Sequence, residues 1–482
     1  MKSTCVLAAA CVALVAATGA AQVRPKVAVN SLKADVSFLS SDALEGRATP
    51  SPGLGIAAEF IAAGFRRAGL EPAGDDGYFQ TARYEVVTPK LEGLELVVEA
   101  GGAAVKADTG KVVVQEAVAA ELSRTPVVTV TDASALDALQ PEQVRGKVLV
   151  IDVAEAGSAA FAAMRRLPAL ARTHEPRLVI VLRAGAAGGS ARPRMRDASA
   201  ASSTVAILAV SDAALRSAIL GARDATVSVR VPAPGVQPVT LRNVVGVLRG
   251  TDPVLRDTYL VLSAHYDHLG MRATGEGDCI FNGANDDASG VAMVMEAGRV
   301  LAARPERPKR SIVFLALYGE EAGGLGSAYY CQHPAVPLAK TVADINFEQL
   351  GRTDDTEGPR PRQFNLTGFD YTDLATAFSR AGRDTGVKVV KHERNSDAYF
   401  GASDNAAFSE RGVPSTTISV AYAFADYHRV GDEWTRIDFE NMAAVGDTIV
   451  LGVLRIASSK EAPRWHTDNP KVARYVRARE GK

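Results

Sequence analysis

The sequence predicts an α/β fold: a mixed, mostly parallel sheet flanked by helices, with an inserted β-rich domain. From Leu241 onward, continuous apolar runs such as Thr258-Tyr259-Leu260-Val261-Leu262-Ser263 and Ile312-Val313-Phe314-Leu315-Ala316-Leu317 alternate with helical patterns. Runs of that kind are strands buried on both faces, and helices have to cover those faces. Over residues 90–238, short β-rich runs follow one another without the alternation, which marks a separate domain. The 482 residues, 47% of them hydrophobic, suffice for two to three domains at ~100–200 residues each. Fifty-four Lys and Arg against 55 Asp and Glu leave a net charge of −1. The clustered basic excess of a nucleic-acid binder is missing, so no nucleic-acid partner is expected.

Residues 1–21 read as a signal peptide: Lys2 is the only charge before Arg24, residues 6–17 are apolar or small, and Thr18-Gly19-Ala20-Ala21 follows. Cleavage there predicts an exported protein, periplasmic or extracellular, without stable membrane insertion afterwards. No later segment approaches the ~20 apolar residues of a membrane span. Export leaves Cys279 and Cys331, for which one disulfide or two free thiols are equal alternatives. Residues 22–89 form the N-terminal part of the main domain. Within residues 54–70, Ile56, Phe60, Ile61 and Phe65 recur at helical spacing after a Ser51-Pro52-Gly53 entry. The insert, residues 90–238, holds strand runs at 94–98, 111–114, 127–130, 147–151, 178–182 and 205–210. Its Gly/Ala/Ser/Arg stretch, residues 184–203, reads as a mobile surface loop. Residues 239–482 complete the main domain. Strands at 258–263 and 312–317, joined by a helix over 291–302, make a parallel βαβ unit, with further strands at 342–347 and 416–420.

Open α/β sheets gather their ligands beyond the carboxyl ends of the strands. In this chain those ends are followed by His265-Tyr266-Asp267-His268, Gly319-Glu320-Glu321, Glu348 and Tyr427-His428. The turn Asn285-Asp286-Asp287-Ala288-Ser289-Gly290 lies between the first two. Imidazole and carboxylate are the donors that zinc and other borderline divalent metals take. Singly, each motif has an ordinary structural explanation; their ordered recurrence at strand ends marks a metal site. Ser289 lacks the Gly-x-Ser-x-Gly elbow of a nucleophile and is expected to cap the helix that follows. His174, His268, His333, His392 and His466 read as structural or surface residues.

Taken together, these motifs resemble the di-zinc exopeptidases of metallopeptidase family 28. The likeness extends to Leu39-Ser40-Ser41-Asp42-Ala43-Leu44-Glu45-Gly46-Arg47, and the insert resembles the protease-associated domain of larger members. The resemblance implies a zinc aminopeptidase-like fold and two Zn²⁺ per chain. It also implies hydrolysis of N-terminal residues from peptides with a free N-terminus, by a hydroxide held between the metals. By position, Asp286 bridges the two ions, His265 and Glu348 complete one site, and Glu321 and His428 complete the other. Asp267 fixes the His265 ring, Glu320 is the general base and Tyr427 polarises the scissile carbonyl. A cis peptide between Asp286 and Asp287 is implied as well. The family carries Asp where this chain has Glu348; the carboxylate survives with one more methylene, while Asp344, the other candidate, lies deeper in its strand. Three carboxylates and one hydroxide neutralise two zinc ions. The same resemblance admits a dipeptidase, a carboxypeptidase, a glutaminyl cyclase, or a receptor-like binding module without catalysis.

Overall fold

A computed structural model describes residues 25–131, 133–153, 167, 169–183, 193–199 and 203–481; the expected signal peptide lies outside them. The chain forms two compact units, one made of Met1–Phe79 with Val244–Lys482, the other of Gln80–Asn243.

At the centre of the first unit runs the strand Tyr259–His265, whose seven residues are all buried. That burial is why its sequence reads as an unbroken apolar run rather than an alternation. It pairs in parallel with Ser311–Leu317 on one side and Thr341–Phe347 on the other. Ser415–Ser419 continues the parallel set beyond Thr341–Phe347. The edges break the pattern: Gln363–Leu366 runs antiparallel to Ser415–Ser419, and residues 244–248 run antiparallel to Ser311–Leu317. The sheet is therefore mixed and mostly parallel. Register places His265 opposite Leu317, and Phe347 opposite Ile418, so the parallel strands end along one edge.

Helix Ser289–Ala302 connects the first two parallel strands and packs on the sheet with helix Phe439–Ser458 beside it. The latter qualifies the expectation about membrane spans. Among the described residues it is the one helix long and apolar enough to cross a bilayer, and most of it is buried inside the unit as a core helix. Side chains of the other sheet face, Val261, Val313 and Leu315, pack against Tyr330, Cys331 and Phe408. Cys279 and Cys331 are both free thiols. In the N-terminal part, Ser51 caps helix Pro52–Arg67 by accepting the Leu54 amide at 3.1 Å. Just before it, Arg47 is fully buried. Its guanidinium donates to the carbonyls of Leu39, Tyr266, Asn282 and Gly283.

The second unit is built on an eight-stranded sheet. Its centre is parallel, with Val148–Val153 between residues 127–130 and Leu178–Arg183, and Ile207–Val210 next. Both faces of this sheet are covered by aliphatic clusters. The loop expected over residues 184–203 needs correction where it is described. Arg194–Asp197 is a strand, antiparallel to residues 84–87, and Arg196 pairs with Glu85 across that ladder. Its Arg and Asp side chains disguise it in sequence, because an edge position tolerates charge.

Candidate metal centre

His265 is the last residue of its strand and is fully buried. The chain then turns through Tyr266, Asp267 and His268, with Tyr266 N–H bonded to Leu317 O at 2.9 Å. The Asn285–Gly290 turn is fastened on two sides. Asp432 accepts the Asn285 amide at 3.0 Å and the Asp286 amide at 3.0 Å. Asn285 Oδ1 in turn accepts the amides of Gly351 and Arg352 at 2.8 and 3.0 Å. Asp287 Oδ1 accepts the amides of Gly290 and Gln349 at 3.0 and 3.2 Å. These bonds hold the segment carrying Glu348 against the segment carrying Asp286. The Asp286–Asp287 peptide is cis.

Asp286 turns its two oxygens to different partners: Oδ1 lies 3.3 Å from His265 Nε2, and Oδ2 lies 3.2 Å from His428 Nε2. His428 Nε2 is also 3.3 Å from Glu321 Oε1. Two groups have donor atoms all within 4.8 Å of one another: His265, Asp286 and Glu348, and His268, Asp286 and Glu321. Donors at ~2.0–2.2 Å from a tetrahedral zinc sit about 3.3–3.5 Å from each other, which is the spacing of the His265, Asp286, His428 and Glu321 atoms. His265 Nε2, Asp286 Oδ2, Glu321 Oε1 and His428 Nε2 are buried without a hydrogen-bond partner. Buried polar atoms are normally paired; three unpaired atoms gathered around an unpaired Asp286 oxygen are a donor set that fits zinc. Asp344 is excluded from this group. It points back into the sheet, where its Oδ1 accepts the Ser263 hydroxyl at 2.8 Å.

The electrostatics divide the carboxylates. Burial pushes Glu320 up to about 10 and Glu348 up to about 7. Burial also acts on Asp286, yet the His265 and His428 rings hold it well below the usual carboxylate range. Glu321, against the same burial, is held at about 2 by His268 and His428. Bonding to Asp286 and Glu321 lifts His428 to about 10. The centre thus has a strong demand for positive charge.

The structure brings all the expected site residues together. The Asp267 carboxylate sits 3.6 Å from His265 Nδ1, whereas the Asp267 carbonyl lies at 3.2 Å from that nitrogen. Its carboxylate also accepts the Glu320 amide and the Thr49 hydroxyl, both at 3.0 Å. Ser289 is not the cap expected of it. Its hydroxyl donates to Asn285 O and accepts the Leu350 amide, while Asp287 caps Gly290. Two residues escaped the sequence reading. His268 is buried, with Nδ1 2.9 Å from Glu321 Oε1; its only signal was its place directly after Asp267, three residues beyond the strand-ending His265. Asp432 acts on backbone amides and leaves no motif. Tyr427 is exposed and stacks on His428 at 4.0 Å. Beside it opens a cavity of about 140 Å³ lined by Glu348, Thr367, Tyr399, Thr417, Tyr422 and Tyr427, among others.

Residues 243–453 match the model of peptidase family M28. A "Probable zinc metalloprotease" of Pyricularia oryzae is 40% identical over 128 residues, covering 26% of this chain and 24% of that protein. Aminopeptidase YwaD of Bacillus subtilis is 23% identical over 232 residues, 47% of each chain. The chain thus spans about a quarter of the first relative's length and about half of the second's. The solved aminopeptidase from Aneurinibacillus sp. strain AM-1 superposes with a TM-score of 0.56 at 19% identity, over 91% of this chain and 96% of that one, a likeness of fold.

Proposed function

We propose that this chain, whose residues 243–453 are a peptidase family M28 domain, is a zinc exopeptidase. It is an aminopeptidase that removes N-terminal residues from peptides with a free N-terminus. The observation that carries this reading is Asp286, whose two oxygens face different unpaired imidazole nitrogens, those of His265 and His428. His265, Asp286 and Glu348 would hold one Zn²⁺; Asp286, Glu321 and His428 would hold the other. Zinc bound there supplies a water with its pKa lowered to ~7 and draws charge from a carbonyl oxygen. Glu320, which the positive charge of bound zinc would keep ionised, would take a proton from water and return it to the leaving amine. The bond from its amide to Asp267 fixes the backbone that aims it. Tyr427, exposed at the mouth, donates its hydroxyl to the scissile carbonyl oxygen. The cavity beside Glu348 takes the side chain of the N-terminal residue. At about 140 Å³ it is near the ~150 Å³ that accepts a benzene ring, so medium-sized apolar side chains fit. The composition of residues 1–21 supports export, and the β-rich unit supports reading residues 90–238 as a protease-associated-like insert.

The test is a panel of free aminoacyl substrates, N-blocked peptides and dipeptides on the purified chain, with zinc measured on the same sample. Expected are cleavage of free-amine substrates only, two zinc ions per chain, and loss of activity to a chelator that zinc restores. Release of C-terminal residues from blocked peptides, or cyclisation of N-terminal glutamine, would replace this reading with a relative of the same fold.

A further inference from the structure

We propose that His268 is a fourth protein ligand of the metal held by Asp286, Glu321 and His428. The proposal rests on the reading of this centre as a zinc site. His268 is almost completely buried, and neither of its ring nitrogens has a hydrogen-bond partner. An imidazole placed this way bears a desolvation penalty that no well-aligned hydrogen bond offsets. Its Nδ1 approaches Glu321 Oε1 to 2.9 Å without the alignment of a hydrogen bond. A contact of this kind is what two donors leaning on one cation produce. The neighbouring ring is His428, whose centroid is 5.7 Å away, and its own Nε2 is unpaired toward the same Glu321 oxygen. Two imidazoles therefore converge on one carboxylate oxygen, and neither contact has the alignment of a hydrogen bond.

The ring is also seated by its surroundings. The His268 amide donates to Arg47 O at 3.2 Å. The Arg47 guanidinium grips the carbonyls of Tyr266 and Gly283, at 2.8 and 3.0 Å, on either side of it. Gly283 has φ +59°, and a Cβ there would lie 2.5 Å from His268 Cγ. The glycine leaves the space that the imidazole fills. Four protein donors would close this site in the manner of structural zinc, while His265, Asp286 and Glu348 leave theirs open for water.

The rival role for His268 is a hydrogen bond that only orients Glu321. His268→Ala and His268→Asn separate the two, because Asn keeps an N–H donor close to the Nδ1 position but is a poor zinc ligand. Both would be made in the full chain, with zinc affinity read by chelator competition and coordination read from the visible spectrum after cobalt substitution. A ligand predicts that both variants lose affinity at one of two sites by more than the ~10–100-fold typical of an orienting partner, with a changed cobalt spectrum. If Asn keeps wild-type affinity and spectrum, His268 is an orienting donor and the proposal is overturned; unchanged values in both variants overturn it as well. Circular dichroism of the metal-free variants identifies a folding defect, in which case the Asn variant decides. Failure of the unmutated chain to bind zinc would instead overturn the reading of the centre.

Discussion

Glu320 and Glu321 are neighbours in the chain with opposite electrostatic settings. Burial lifts the first to about 10, while two imidazoles hold the second at about 2. The two side chains thus sit in different surroundings, in keeping with the proposed division into a proton-transfer group and a metal ligand. Glu320→Gln keeps shape and removes the base. It is expected to lower kcat by ~10²–10⁴-fold with KM much less affected, and with zinc content unchanged by elemental analysis. Equal loss of zinc and rate would make Glu320 a ligand. Glu348 carries one more rotatable bond than the aspartate it replaces, so fixing it costs more side-chain entropy. Chelator titration should therefore remove metal in two steps, with the His265 site emptying first and activity falling at that step. Glu348→Ala should leave a single zinc per chain; retention of two tightly bound ions would take Glu348 out of the site. Residues of this kind were legible in sequence because each stands at the end of an apolar run. His268 was not, since nothing in the order of residues says which way a loop turns its third side chain.

At the scale of elements, the centre depends on how loops are fastened to strand ends. Asp432 holds two consecutive amides of the Asp286 turn, and its backbone carbonyl accepts a third from Ala284 at 3.0 Å. Asp432→Ala keeps the carbonyl but frees the two amides bound by the carboxylate, leaving buried donors unpaired. The expected result is a loss of ~10–100-fold in zinc affinity, as for other partners behind a ligand, with partial recovery in Asp432→Asn. Calorimetric zinc titration of both variants checks this, and wild-type affinity in the Ala variant would mean the turn holds without the latch. Central strands were legible because burial on both faces writes itself as continuous Val, Leu and Ile. Arg194–Asp197 was illegible for the converse reason, since an edge strand needs no apolar side chains. Ser289 was misread because a serine before a helix has two uses, and here its hydroxyl spans Asn285 and Leu350 rather than capping.

The stability of the whole molecule against pH carries the imprint of a contact far from any motif. Asp35, on helix Val29–Leu39, faces helix Ser289–Ala302, where Glu296 accepts the Ala28 amide at 2.7 Å. Burial, then the nearby Glu296 carboxylate, raises Asp35 from 3.8 to about 7, with Arg67 and Arg299 opposing. An aspartate whose folded value lies above its unfolded one binds its proton more tightly in the native state. The Asp35 contribution to stability is therefore fully present below pH ~4, is lost as pH rises toward 7, and levels off above that. Asp35→Asn removes the charge and keeps the size. It should match the wild type near pH 4 and exceed it at pH 8 by on the order of 1–2 kcal/mol, allowing for solvent screening. Urea unfolding of both chains with zinc bound, at pH 5, 6.5 and 8, measures the difference while cancelling the contribution of the metal centre. A gap that grows with pH is expected. A gap of constant size would locate the cost in packing rather than ionisation, and a variant that loses stability at pH 8 would show that the Asp35 charge is favourably paired with Arg67 and Arg299.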